Sequence, residues 1–206
     1  LHMSKDRNLI VMHDEYVNRT SNGSGLIKDM TLKELKNLDC GSWYGEEFQG
    51  VKAPILEEVL DLMRDWNGFL NIEIKGGSYF YPHIEKRIID TIRMFCYEEK
   101  VIFSSFNHYS MSDIKSNASY FKVGLLYNDR IFEPWNYAKA MNANALHPPF
   151  FYVDQYMADC CKANNIDINT WTVNDEAVME KMMKYNISGI ITNYPDTAVR
   201  IRSSLK

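Results

Sequence analysis

The stretch VIFSSFNHYSMSDIKSNASYFKVGLLY, residues 101–127, contains the unit that decides the fold. Two runs rich in apolar and β-branched residues, Val101–Ser105 and Val123–Tyr127, predict strands on either side of a segment long enough for one helix. Similar runs begin at residues 145, 168 and 189, so that five successive strand starts lie 21 to 23 residues apart. This spacing predicts a repeated strand–helix unit.

The same alternation extends towards the N-terminus, where Leu70–Ile74 predicts a further strand. Helical periodicity separates the strands: Ile84, Ile88, Ile92 and Cys96 recur every four residues. Strands that alternate with helices form parallel sheets, and six regular units favour a closed barrel over an open doubly wound sheet. We therefore expect an α/β fold, a (β/α)8 TIM barrel that is incomplete at the N-terminus.

The N-terminal part of the chain follows a different pattern. Two short segments, His2–Ser4 and Leu9–Met12, flank the polar tetrad of residues 5–8, which suits a turn, and together they predict a β-hairpin. Thr31 and Glu34 have the spacing of a capping box and predict the start of a short helix. Residues 14–53 are interpreted as a small insertion within one domain that covers residues 1–206.

Composition and net charge bear on which partners the protein can bind. A formal charge of -4 and an isoelectric point near 5.8 disfavour binding to a nucleic-acid backbone, but they permit a single phosphate group as a ligand. No apolar run reaches the length of a transmembrane segment, and we expect a cytoplasmic protein. The four cysteines lack a CxxC spacing and are expected to be free thiols. The oligomeric state is left open.

Five ordered blocks of sequence resemble the glycerophosphodiester phosphodiesterase family. The first is HDEYVNRTSNGSG, residues 13–25, and it corresponds to the segment of the family that carries the second histidine. The other blocks are Leu35–Phe48, Leu70–Lys75, Trp171–Asp175 and Gly189–Pro195. The resemblance implies a TIM barrel with an insertion after its second strand, and hydrolysis of glycerophosphodiesters to glycerol 3-phosphate and an alcohol.

The resemblance also implies a set of site residues. Two histidines act as general acid and base in the family, and carboxylates hold a divalent ion, usually calcium or magnesium. On this basis His13 is the second catalytic histidine, Glu73 a metal ligand and Lys75 a cation that faces the phosphate of a small-molecule substrate. A histidine, with an ordinary pKa of about 6.5, suits proton transfer, and a metal and a lysine suit an anionic diester.

Simpler interpretations of these residues stay open. His13 could be a hydrogen-bonded histidine at a strand end, and Glu73 and Lys75, two residues apart on one strand face, could be an interior ion pair. His147 and Trp171 stand at the ends of predicted strands. Both are candidate substrate-binding residues, with Trp171 placed to meet a choline-like head group, but packing is the alternative for His147.

Two motifs of the family, a His-Arg-Gly and a Glu-x-Asp, do not occur in this sequence. We expect residues before Leu1 to supply them in a longer active enzyme. The alternatives are that another chain fills the gap or that the protein is an inactive homologue that binds phosphate or lipid head groups. A phosphodiesterase directed at lysophospholipids is a further possibility.

Overall fold

The hairpin and the strand–helix repeat are both present in the computed structural model, which describes residues 1–205. The chain divides into two compact units, Leu1–Val101 and the part from Ile102 onward. The prediction of one domain over residues 1–206, with 14–53 as an insertion, stays a prediction. Within residues 1–205, no helix is both long and apolar enough to span a lipid bilayer, and the cytoplasmic location stays a prediction.

The first unit contains short strands and helices. They are β1 (His2–Met3), β2 (Leu9–Ile10), α1 (Leu32–Asn37), α2 (Leu56–Leu62), β3 (Leu70–Glu73) and α3 (Ile84–Met94). The elements that follow are β4 (Val101–Ser105), α4 (His108–Asn117), β5 (Lys122–Leu126), α5 (Pro134–Ala140), β6 (Ala145–His147), α6 (Gln155–Ala163), β7 (Asp167–Thr170), α7 (Glu176–Lys184), β8 (Gly189–Ile190) and α8 (Pro195–Ser204). Single 3₁₀ turns lie at Ile27–Asp29, Glu46–Phe48, Gly77–Tyr79, Glu98–Lys100 and Phe150–Tyr152.

The predicted hairpin is confirmed, with shorter strands than expected. β1 and β2 are antiparallel, and His2 pairs with Ile10. The first strand stops before Ser4 because the Ser4 hydroxyl takes part in the turn: it donates to Asp6 Oδ1 at 2.7 Å and accepts from the Asn8 amide at 2.9 Å. The Ser4 side chain thereby supplies a hydrogen-bond partner for the Asn8 amide, as a polar backbone group away from water requires.

The chain after the hairpin packs around its own apolar cluster. Val17, Ile27 and Leu35 are buried together with Ile10. Helix α1 begins at the predicted capping box, in which the Glu34 amide donates to Thr31 Oγ1 and the Thr31 amide donates to Glu34 Oε2. This cluster fixes the loop that precedes α1.

The second unit contains a parallel sheet in the order β4, β5, β6, β7, β8, with a helix after each strand. The predicted repeat is confirmed. Strand β7 ends at Thr170, before the end of the predicted run, Ile168–Val173: Trp171 forms only an isolated parallel bridge with Pro149, although the Val173 amide still donates to Ile191 O. In a parallel βα repeat the carboxyl ends of all strands lie at one edge, where barrel enzymes place their active sites.

Candidate active site

Three of the predicted site residues meet in the first unit. Glu73 ends β3, Lys75 follows two residues later, and His13 lies just beyond β2. The Lys75 Nζ atom is 2.7 Å from Glu73 Oε1 and 3.3 Å from His13 Nε2. The ion pair of the simpler interpretation is therefore formed, but Lys75 also contacts the histidine ring, which an ion pair alone does not require.

The trio faces a cavity of about 450 Å³. The His13 side chain is 74% exposed, whereas those of Glu73 and Lys75 are 26% and 22% exposed. Apolar side chains form the remaining walls, among them Val11, Met12, Leu56, Val59, Leu70 and Ile72. A concave, largely apolar site with a few convergent polar groups is typical of small-molecule binding.

Asp14 and Arg19 also contribute to the site, although we did not single them out from the sequence. Asp14 Oδ1 accepts a hydrogen bond from His13 Nδ1 at 2.7 Å. Arg19 donates to both carboxylate oxygens of Asp14, from Nε at 2.6 Å and from a terminal nitrogen at 2.9 Å. The Arg19 guanidinium, and secondly His13, hold the pKa of Asp14 well below its usual range. The position of Asp14 directly after a candidate catalytic histidine was the one feature of the sequence that could have indicated its role.

His2 fixes the backbone at the candidate histidine. Its ring is buried, with Nδ1 at 2.8 Å from the Tyr81 hydroxyl and Nε2 at 3.1 Å from the His13 carbonyl oxygen. Burial lowers the pKa of His2 to about 4, so the ring is neutral near pH 7 and its Nε2 can donate to that carbonyl. His2 therefore has a structural role in the site.

The expected metal ligands are present only in part. Glu73 Oε1 is buried and makes no hydrogen bond of good geometry, although it lies within ion-pair distance of Lys75. An anionic oxygen of this kind can bind a cation. Over residues 1–205, however, no three His, Cys, Asp or Glu side chains are placed together as a metal site. These residues do not form a complete donor set, and we derive no catalytic step through a metal ion.

His147 and Trp171 lie together in the second unit. His147 is 1% exposed, its Nε2 is 3.0 Å from Asn169 Nδ2, and burial lowers its pKa to about 4. Gly124 provides the space for the ring, since a Cβ there would stand 2.3 Å from His147 Nε2. Trp171 Nε1 donates to the His147 carbonyl at 2.7 Å, and its indole packs edge-on against Phe106. The burial of His147 agrees with packing, and a substrate role for either residue stays a prediction.

Comparison with known proteins identifies relatives over almost the whole chain. A family model described as the glycerophosphoryl diester phosphodiesterase family matches residues 1–197. A glycerophosphodiester phosphodiesterase of Caldanaerobacter subterraneus subsp. tengcongensis is 45% identical over 97% of this chain and 82% of its own length. Another, from Bacillus altitudinis, is 37% identical over 99% of this chain and 84% of its own length.

A solved structure agrees with these relatives. An Oleispira antarctica phosphodiesterase in complex with the product sn-glycerol-3-phosphate superposes with a TM-score of 0.90 at 25% identity, over 98% of this chain and 81% of that chain. The expected fold class, an α/β TIM barrel, and the expected enzyme class, a phosphoric diester hydrolase, are confirmed. The chain belongs to the glycerophosphoryl diester phosphodiesterase family.

Proposed function

We propose that this enzyme hydrolyses glycerophosphodiesters to glycerol 3-phosphate and an alcohol, with His13 as an acid–base residue. One observation carries the proposal: His13 from one family-like block and Glu73 and Lys75 from another converge on one cavity. The relative that is 45% identical bears the name of this activity, which supports the same substrate class.

The chemistry of the diester explains the residue types. Hydrolysis requires one proton to leave the attacking water and one proton to reach the leaving alkoxide oxygen. The exposed ring of His13 would carry one of these two transfers, through Nε2, which faces Lys75. The Lys75 ammonium would neutralise negative charge on a non-bridging phosphate oxygen, where charge builds up in the transition state.

The proposal includes a divalent ion, calcium or magnesium. Glu73 would be its carboxylate ligand from the described residues, and magnesium sites commonly use one or two carboxylates together with substrate phosphates and water. When bound, the ion would neutralise charge on the phosphodiester oxygens. Glu73→Gln should raise the metal concentration that gives half-maximal activity. An unchanged metal dependence would remove Glu73 from the ligand set.

The proposal is tested by product release from the full-length protein. With calcium or magnesium present, glycerophosphocholine or glycerophosphoethanolamine should yield glycerol 3-phosphate, detected by a coupled dehydrogenase assay. Lys75→Met should lower kcat/KM by about 100-fold or more, as expected for loss of a charge-stabilising donor. The surface variant Lys86→Met, which loses only an ion pair to Asp90 on α3, is the matched control. No product from a folded protein would contradict the proposal.

The apolar walls of the cavity favour a second candidate, a phosphodiesterase that acts on lysophospholipids. In that case lysophosphatidylcholine should be hydrolysed with a higher kcat/KM than glycerophosphocholine. Calorimetric binding of glycerophosphodiesters without any product would instead indicate an inactive head-group-binding homologue. The two assays together distinguish these candidates from the leading proposal.

A further inference from the structure

We propose that Asp14, held by Arg19, is a positioning residue that fixes His13 in one tautomer, with the proton on Nδ1 and the lone pair on Nε2. The inference rests on the proposed function, because it concerns the support of the proposed proton-transfer residue. It assigns to Asp14 and Arg19 a role in the activity, beyond a surface ion pair.

The contact with Asp14 determines the proton on one side of the ring. An ionised carboxylate only accepts hydrogen bonds, and the low pKa of Asp14, caused first by Arg19, keeps it ionised. The 2.7 Å contact between Asp14 Oδ1 and His13 Nδ1 therefore requires a hydrogen on Nδ1. A neutral imidazole with its hydrogen on Nδ1 carries its lone pair on Nε2.

The contact with Lys75 leads to the same tautomer from the other side of the ring. An ammonium group has three donors and no acceptor. Lys75 Nζ lies 3.3 Å from His13 Nε2, so this nitrogen must accept the hydrogen bond through its lone pair. Two contacts on opposite sides of the imidazole thus agree on where the proton sits.

Arg19 determines the orientation of the carboxylate. It contacts both oxygens of Asp14, a bidentate geometry that fixes the plane of the carboxylate as well as its position. The guanidinium carbon of Arg19 lies 6.0 Å from the centre of the Trp43 ring, and Trp43 Nε1 donates to the Cys40 carbonyl at 2.9 Å. Residues of the segment 14–53 therefore orient His13 through this chain of contacts.

The tautomer can be measured without any activity. Long-range ¹H–¹⁵N spectra of the labelled full-length protein, at mildly alkaline pH where imidazoles are neutral, distinguish a protonated ring nitrogen from an unprotonated one. His13 is assigned by the resonances that disappear in His13→Asn. We expect a protonated Nδ1 and an unprotonated Nε2. A hydrogen on Nε2, or shifts averaged between the two tautomers, would overturn the inference even if the enzyme is active.

The variant Asp14→Asn tests the consequence for catalysis. Arg19 donates to both oxygens of Asp14, so the NH2 of an amide faces an Arg19 donor in either orientation, and the amide cannot satisfy Arg19 and His13 Nδ1 together. We expect kcat to fall about 10- to 100-fold with KM nearly unchanged, as for other groups that orient a functional histidine. Removing these donors with Arg19→Met in the same protein should let the amide oxygen accept from His13 Nδ1 and restore part of kcat.

The control is a carboxylate–arginine pair away from the site. Asp61 and Arg64 form an exposed ion pair at the end of α2, and Asp61→Asn should leave kcat unchanged. If Asp14→Asn also leaves kcat unchanged, or if the second substitution restores nothing, Asp14 does not position His13. A protein without any activity would contradict the proposed function alone, because the tautomer measurement would still decide this inference.

Discussion

Replacing His147 with methionine should reduce the loss of stability that the protein suffers in acid. The imidazole of His147 is 1% exposed, and burial lowers its pKa from 6.5 to about 4. Between these two values the unfolded chain binds a proton that the folded protein does not, so the free energy of unfolding decreases as the pH falls through this window. Above pH 6.5 both states are neutral at this position, and the contribution is constant.

The size of the effect follows from the two pKa values. The difference between the two pKa values corresponds to a loss of about 3 kcal/mol in the free energy of unfolding once the pH is below both values. About 2 kcal/mol of this is lost by pH 5. Methionine has no proton to bind and is similar in volume, and the lost hydrogen bond to Asn169 adds a cost that does not depend on pH. The advantage of the wild-type protein over the variant should therefore shrink by about 2 kcal/mol between pH 7 and pH 5.

Urea unfolding of both proteins at pH 7 and pH 5 measures this difference. The buried His2, whose pKa is also lowered to about 4, titrates in both proteins and cancels in the comparison. If the two free energies of unfolding decrease in parallel between the two pH values, His147 is not a buried neutral group, and the account of the second unit's interior is wrong.

Three further substitutions test other parts of the fold. Gly124→Ala would place a Cβ 2.3 Å from His147 Nε2, and it should lower the free energy of unfolding by about 1 to 3 kcal/mol; an unshifted urea midpoint would refute the close approach. Thr31→Ala removes the N-terminal cap of α1 and should lower the free energy of unfolding by about 1 kcal/mol in the same assay. An unchanged free energy of unfolding would show that the capping box does not stabilise α1. Asp39→Ala removes the carboxylate that accepts hydrogen bonds from the amides of Gly41, Ser42 and Gly50. Hydrogen exchange at these three amides should become faster, and unaltered exchange would contradict the three hydrogen bonds.

Local sequence patterns were sufficient to predict most of the fold. Apolar runs at Val101–Ser105 and Ala145–His147 became strands with the predicted bounds, because parallel strands are buried on both faces. The end of β7 was missed because it depends on pairing with distant residues, where Trp171 forms only an isolated bridge with Pro149. The division into two compact units also depends on contacts between distant residues, which spacing and composition do not show.

The candidate site was only partly predictable. His13, Glu73 and Lys75 could be named because their residue types and order match a family pattern and suit an anionic substrate. The structural support from His2 depends on a ring nitrogen that contacts a carbonyl eleven positions away, and no local pattern reports such a contact. The roles of Asp14 and Arg19 likewise depend on the orientation of side chains.

The most direct test of the central claim, that His13 takes part in the cleavage of a phosphodiester, is the kcat for glycerol 3-phosphate release by His13→Asn. His83→Asn is the matched control, since His83 is exposed at the start of α3 in a left-handed backbone conformation that asparagine tolerates. We predict that His13→Asn lowers kcat by about 100-fold or more and that His83→Asn leaves it unchanged. A His13→Asn protein that retains the wild-type kcat would contradict the account.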